Sequence, residues 1–172
     1  MYLEIKEIGP DGLSIDRRID FRLPSPDVGQ ELVRVSQVHL SGEIFREGRD
    51  TSFSGDIGTI ASVSCSRCVE IFDLPLDLHF DLLYTSDKEE VPKRESRVDE
   101  DSVTVVHLDG DRIDLDHLLE EQIYLGLPLK PLCRQDCRGL CARCGANLNQ
   151  DACACDQQPT GDPRLLKLKG LL

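Results

Sequence analysis

The sequence predicts an α+β fold: an antiparallel β-sheet with one main packed helix, followed by a cysteine-rich C-terminal segment that needs a staple to hold its shape. Three observations predict it. Alternating apolar and polar residues fill most of the first 84 positions, a single helical stripe begins near Leu115, and all eight cysteines fall in close pairs. At 172 residues the chain is long enough for one domain with a small appendage and a real core.

The elements follow in order. Val33 and Val35 alternate in one phase and Val38, Leu40 and Ile44 in the other, so a bulge or a break between two strands is expected near Ser36–Gln37. Phe53 to Cys65 is the clearest strand, with Phe53, Ile57, Ala61, Val63 and Cys65 on one parity and Ser54, Asp56, Ser62 and Ser64 on the other. Ile60 interrupts that pattern, and Gly55 and Gly58 are expected to mark a bend or bulge. Leu74, Leu76, Leu78, Phe80 and Leu82 alternate with Pro75, Asp77, His79 and Asp81 in a half-buried strand. Pro75 donates no backbone hydrogen bond, which places it near the strand start or on a sheet edge. Short connections imply antiparallel neighbours.

Residues 85–101 are almost wholly polar and are expected to form a mobile loop. Val103 to Leu108 returns as a strand, with Asp109-Gly110 as turn chemistry. Asp114 then caps a helix whose apolar stripe is Leu115, Leu118, Leu119 and Ile123, and Pro128 blocks its continuation. The chain so divides into an α+β core, 1–129, and a cysteine-rich segment with its tail, 130–172. Within the tail, Asp162 to Leu168 reads as a short helix or a docking tail.

The net charge of −12 is unevenly spread: residues 1–129 carry −15 and residues 130–172 carry +3. A nucleic acid is repelled by the first part and attracted only by the second, so any RNA contact belongs late in the chain. No apolar run approaches the ~20 residues that span a bilayer. The N-terminus interleaves charge with apolar residues, unlike a signal peptide, so a cytoplasmic protein without membrane contact is expected. In that reducing compartment, clustered cysteines favour metal ligation or redox chemistry over disulfides.

The pairs are Cys65 and Cys68, Cys133 and Cys137, Cys141 and Cys144, and Cys153 and Cys155. Zinc takes four thiolates tetrahedrally, commonly two from one tight turn and two from another, so these cysteines supply one or two structural zinc sites. Cys141-Ala-Arg-Cys144-Gly145 is the most specific piece, because Gly145 can adopt positive φ and turn backbone N–H groups toward the sulfurs. The first-choice grouping closes a local site from Cys141, Cys144, Cys153 and Cys155, the last two returning after an eight-residue loop, while Cys133 and Cys137 meet Cys65 and Cys68 at the strand end. In the other, Cys133, Cys137, Cys141 and Cys144 form the local site, and Cys153 and Cys155 join the strand pair. Four-thiolate sites have no open coordination position, which argues for structure rather than catalysis.

Asp77, His79 and Asp81 share a strand face, where exposed polarity accounts for them as well as a metal would. His117, Glu120 and Glu121 read as solvated helix surface, and His39 and His107 have no partner pattern. There is no phosphate-binding glycine loop, nucleophile elbow or His-Glu-x-x-His motif, so neither an enzyme nor a small-molecule substrate is expected. Lys130, Arg134, Arg138 and Arg143 intersperse with the cysteine pairs, either as cations held toward RNA or a partner, or as solubilising charges.

Cys-Ser-Arg-Cys-Val-Glu at 65–70, Glu-Gln-Ile-Tyr-Leu-Gly-Leu-Pro-Leu-Lys-Pro-Leu-Cys at 121–133 and Gly-Leu-Cys-Ala-Arg-Cys-Gly-Ala-Asn-Leu-Asn at 139–149 resemble the YceD family, as does Asp-Pro-Arg at 162–164. The family's motif residues fall here on the eight cysteines and on Leu127, Pro128, Gly145, Asn147 and Leu148. The resemblance implies a role in accumulation of 23S ribosomal RNA, through precursor processing or early large-subunit assembly. It brings no catalytic residues. The expectation is a non-enzymatic ribosome-biogenesis factor whose zinc-organised C-terminal surface contacts large-subunit precursor rRNA or a ribosomal protein. A zinc-dependent protein-interaction adaptor and a thiol redox protein are the alternatives.

Overall fold

The computed structural model describes residues 1–21, 32–86, 104–108, 110–153 and 155. The elements are β1 (Tyr2–Glu4), a 3-10 turn (Ile5–Glu7), β2 (Leu13–Ile19), β3 (Leu32–Val35), β4 (Val38–Glu47), β5 (Asp50–Ser64), β6 (Ile71–Thr85), β7 (Thr104–His107), β8 (Arg112–Asp114) and α1 (Leu115–Gly126). The main sheet runs β2-β4-β5-β6-β7, with β3 also paired to β5, and β1 and β8 form a separate two-stranded ribbon. All pairings are antiparallel except β6–β7, which is parallel, as a long connection between two strands permits.

The phase change at Ser36–Gln37 is a break between two strands laid end to end along β5. β3 pairs with Ala61 to Val63, and β4 takes over from Gly58 to Asp50. Ser36 fills the junction: its N–H donates to the Ile60 carbonyl (2.9 Å), and its Oγ accepts from the Ile60 N–H (3.1 Å). Both main-chain groups of Ile60 are thus satisfied while its side chain points to solvent, which is why an isoleucine is tolerated on the polar parity. Phe53, Ile57, Ala61, Val63 and Cys65 are buried, so the expected core parity is the observed one.

The bulge considered for Gly55 and Gly58 is not there. The registers of β5 with β4 and β6 run through both glycines without a shift, and the irregularity lies in β3 between Leu32 and Arg34 instead. Gly55 serves close approach. It stands opposite Gly42, where a Cβ would lie 2.5 Å from the Ser41 carbonyl oxygen and 3.0 Å from the Phe80 ring. The missing side chains leave room for the edge-to-face contact of Phe53 and Phe80, whose ring centroids are 4.9 Å apart.

β6 keeps Leu76, Phe80 and Leu82 buried, and Pro75 pairs with Ile60 on one side only, since β7 joins β6 no earlier than Leu82. α1 starts at the predicted cap: the Asp114 carboxylate accepts from the backbone N–H groups of Asp116 and His117. Its predicted stripe, Leu115, Leu118, Leu119 and Ile123, is buried in one core with Phe53, Ile57, Phe80 and Leu82. Leu127 then adopts extended geometry ahead of Pro128. The opposite sheet face is polar. His79 bonds Asp56 (2.9 Å) with Asp81 at 3.3 Å, and the Asp56 hydrogen bond raises the imidazole pKa, so these side chains form a surface ladder. Most of the charged stretch 85–101, and all of Asp162 to Leu168, lie outside the described residues.

Gly55→Ala is expected to destabilise the fold by about 1–3 kcal/mol through backbone overpacking. Gly58→Ala, where the nearest atom to a new Cβ is 3.7 Å away, is expected to leave stability nearly unchanged. Urea midpoints of the two variants check the contrast.

Candidate metal centres

β5 and β6 are joined by residues 65–70, so the β-hairpin connection is itself the first cysteine turn. Ser64 pairs with Ile71, the Cys65 N–H donates to the Glu70 carbonyl (2.9 Å), and the Val69 N–H donates to the Cys65 carbonyl (2.9 Å). The second turn repeats this pattern. The Cys141 N–H donates to the Ala146 carbonyl (2.8 Å) and the Gly145 N–H to the Cys141 carbonyl (2.9 Å). The residue after the second cysteine is left-handed in both, at φ 62° for Val69 and φ 72° for Gly145. Glycine suits that conformation, whereas a β-branched valine is strained in it.

After α1, the chain passes along the first turn. The Ser66 N–H donates to the Pro131 carbonyl (2.9 Å), the Leu140 N–H to the Arg67 carbonyl (3.1 Å), and the Arg67 guanidinium to the Cys137 carbonyl (2.8 Å). These bonds bring Cys65, Cys68, Cys133 and Cys137 together, and the local loop gathers Cys141, Cys144, Cys153 and Cys155. The sulfurs within each set lie within 4.8 Å of one another. This is the first of the two groupings considered from sequence. The other does not assemble, because the strand pair faces residues 131–140 rather than Cys153 and Cys155.

The donor sets fit a tetrahedral ion. Cys65 and Cys137 sulfurs are 3.8 Å apart and those of Cys68 and Cys133 3.6 Å. A zinc–sulfur bond of about 2.3 Å gives a tetrahedral edge of about 3.8 Å, whereas a disulfide would require about 2.05 Å. Cys65, Cys68 and Cys137 are buried and Cys133 half-buried, while in the second set Cys144 is exposed and the others are half-buried.

Electrostatics agree with geometry. Burial pushes the Cys65 thiol up, but N–H groups of Cys133, Cys68 and Arg67 aimed at its sulfur outweigh this and hold its pKa at about 6. N–H groups of Cys144 and Arg143, helped by neighbouring thiols, hold Cys141 at about 6. In contrast, burial and then the thiols of Cys68, Cys137 and Cys65 push Cys133 up to about 12. The Cys144 thiol and then burial push Cys155 to about 12. Each set thus mixes thiols held low with thiols pushed up. Burial raises Cys137, but the Asn149 amide and the Gly139 N–H outweigh it and leave Cys137 lowered, as Cys65 is. A bound cation would favour the thiolate form of all of them.

Two hydrogen-bonding roles were not assigned from the sequence. Asn149 Nδ2 donates to the Cys137 sulfur (3.3 Å), while its Oδ1 accepts from the Arg138 N–H (2.8 Å). Asn147 in turn accepts from the Asn149 amide (2.9 Å), so Asn147 and Asn149 support the first site from the loop that builds the second. The signal was the Asn-Leu-Asn run after Gly145. Arg67 is the other contributor, visible in hindsight as the arginine shared by both Cys-x-Arg-Cys turns. Lys130, Arg134, Arg138 and Arg143 are exposed, and Arg134 lies 3.6 Å from Asp136. Among the described residues no helix is long and apolar enough to cross a membrane.

A family model described as "Large ribosomal RNA subunit accumulation protein YceD" matches residues 53–172, the part of the chain that holds both cysteine sets. The chain is 29% identical over 156 residues to the Zea mays protein "Large ribosomal RNA subunit accumulation protein YCED homolog 1, chloroplastic", covering 78% of this chain and 53% of that one. Against its Arabidopsis thaliana namesake, identity is 25% over 142 residues, with 70% and 44% covered. A Mycobacterium leprae protein described as uncharacterized is 26% identical over 124 residues, with 70% and 55% covered. The chain spans about half the length of these relatives. No solved structure matches it.

Relieving the left-handed valine gives a direct check on the paired turns. Val69→Gly is expected to raise stability by about 1–2 kcal/mol and Gly145→Val to lower it by a similar amount. Chemical denaturation of the metal-loaded variants measures both.

Proposed function

The chain belongs to the YceD family, and on that premise we propose that it is a non-enzymatic ribosome-biogenesis factor supporting 23S rRNA accumulation and large-subunit assembly in the cytoplasm. The observation that carries this reading is the match of residues 53–172 to a family described by large ribosomal RNA subunit accumulation, over the region that contains both four-cysteine sets.

In this reading each set holds one structural Zn2+. The first ion clamps residues 131–140 to the end of the β5–β6 hairpin, and the second shapes the loop that presents Arg143. The zinc supplies a fixed tetrahedral crosslink, and the residues around it supply the contact surface. Lys130, Arg134, Arg138 and Arg143 then meet precursor rRNA or a large-subunit ribosomal protein. The −15 of residues 1–129 discourages indiscriminate RNA binding and favours a contact confined to the C-terminal surface. A four-thiolate zinc site within residues 130–172 reduces their +3 to about +1, which also supports a protein-interaction adaptor as the second reading.

Native mass spectrometry is expected to find two zinc ions in the parent and one each in Cys68→Ser and Cys144→Ser. Unchanged stoichiometry in Cys68→Ser would remove the hairpin clamp. Chelation should expose residues 130–155 to proteolysis, because zinc free energies of about 10–16 kcal/mol are at stake in small modules.

For function, UV cross-linking in cells with sequencing of the recovered RNA is expected to enrich one region of precursor 23S RNA. The enrichment should disappear when Arg134, Arg138 and Arg143 are all replaced by alanine. Enrichment no greater than that of a matched acidic control would favour the adaptor.

A further inference from the structure

Only three residues, Arg138 to Leu140, separate the last cysteine of the first set from the first cysteine of the second. We propose that the two metal sites are coupled, each raising the affinity of the other for its ion, and that Asn149 is the positioning residue that transmits the coupling. This deepens the reading in which each set holds one Zn2+, and it rests on that reading.

The coupling follows from how the chain returns on itself. Residues 145–152 form the loop between Cys144 and Cys153, so both neighbours of the loop are ligands of the second set. Its middle lies against the three linking residues. The Leu148 N–H donates to the Gly139 carbonyl (2.9 Å), Leu140 and Asn147 form an antiparallel bridge, and the Arg138 N–H donates to Asn149 Oδ1 (2.8 Å). Asn149 Nδ2 then reaches the Cys137 sulfur (3.3 Å). Asn147 Oδ1 accepts from both the Asn149 main-chain N–H (3.0 Å) and Nδ2 (2.9 Å), which aims the amide at that sulfur. One residue on, the Gln150 side-chain amide donates to the Glu70 carboxylate, on the hairpin turn that carries Cys65 and Cys68.

Among the described contacts between this loop and the first set, the Asn149 amide is the one that touches a ligand sulfur. Ordering of the loop is therefore felt at the first site through Asn149. The loop has no helix or strand of its own, and fixing its backbone is the main cost of placing that amide. Ligation of Cys144 and Cys153 holds both ends of the loop, so with the second set closed the amide is in place before the first set binds. Its N–H stabilises the charged sulfur that a metal requires, and partners of this kind are worth about 10–100-fold in metal affinity. With the second set open, binding at the first must order the amide itself and is weaker. Linkage makes the effect reciprocal: closure of the first set fixes Cys137 and residues 138–140, the template for residues 147–149, and strengthens the second set by the same factor. Arg134, Arg138 and Arg143 are then presented together, over a narrower range of free zinc than independent sites would give.

The test reads each set separately in the full chain. Free Zn2+ is fixed with a chelator buffer, thiols without metal are alkylated in a brief pulse, and peptide mass spectrometry scores Cys133 for the first set and Cys141 for the second. Both are expected to be protected in the parent. Cys144→Ser should raise the free zinc that half-protects Cys133 about tenfold, and Cys68→Ser should raise the midpoint of Cys141 by the same factor. Asn149→Ala should weaken the first set about as much as Cys144→Ser does, and adding Cys144→Ser to it should move the Cys133 midpoint by less than about twofold. Asn149→Asp keeps an acceptor for the Arg138 N–H but has no donor for the sulfur, so it should weaken the first set at least as much as alanine. A Cys133 midpoint indifferent to Cys144→Ser, coupling of full size that survives Asn149→Ala, or protection restored by Asn149→Asp overturns the proposal. If both sets are protected with independent midpoints, the coupling falls and the zinc reading stands; if neither cysteine is protected at any free zinc, both fall.

Discussion

The unbroken pairing of β5 with β6, from Thr51 opposite Tyr84 to Ser64 opposite Ile71, is the constraint on which the rest of this structure depends. A β-register has a period of two, so one slipped residue would move the whole apolar set to the solvent face. Here the same register that buries Phe53, Ile57, Ala61 and Val63 also carries Cys65 to the end of the sheet on the buried side. The hairpin connection then has only residues 65–70 in which to reverse, and it reverses as a cysteine turn. Core packing and ligand placement are thus one decision.

From that fixed end, residues 131–149 are positioned by bonds to backbone and by a small cluster in which Phe72 and Leu132 pack on Cys65, Cys68 and Cys137. Ser66 and Arg67 hold Pro131, Cys137 and Leu140, and Asn149 returns from the next loop to the Cys137 sulfur. Few of these residues are apolar, and among the described residues of 130–155 only Pro131, Cys137 and Gly139 are buried. A segment of this composition gains too little from burial to offset the entropy of ordering it, which is why the sulfur clusters matter to its shape. The left-handed Val69 shows how strongly that end is determined, because only a surrounding structure that leaves no alternative keeps a β-branched residue there.

Charge divides the molecule along the same line. The sheet body is acidic on its open face, with histidines such as His79 held between aspartates, whereas the exposed cations singled out from sequence sit on the C-terminal segment. Guanidinium groups on that segment serve an anionic polymer and a protein alike.

Much of this was legible in the residues themselves. Period-two alternation in Phe53 to Cys65 and Leu74 to Leu82, the Asp114 cap, the stripe from Leu115 to Ile123 and the stop at Pro128 are local signals, and local sterics and hydrogen bonding decide them. The pairing of cysteines within each turn was legible for the same reason, since two ligands three apart need only one turn. Three things needed the tertiary structure. Gly55 looked like a bend, and only the facing Gly42 and the Phe53 and Phe80 rings show it to be a close approach. The spacing favoured one grouping of the cysteine pairs and left a rival open, and only the bonds from Ser66 and Arg67 to residues 131–140 put Cys133 and Cys137 beside the hairpin. The two turns share a legible Cys-x-Arg-Cys pattern, but that Val69 takes the same left-handed conformation as Gly145 shows only in the backbone. Sequence determined what each segment forms, because those forces act within a few residues; tertiary structure decided which segments meet, because that depends on backbone groups every residue shares.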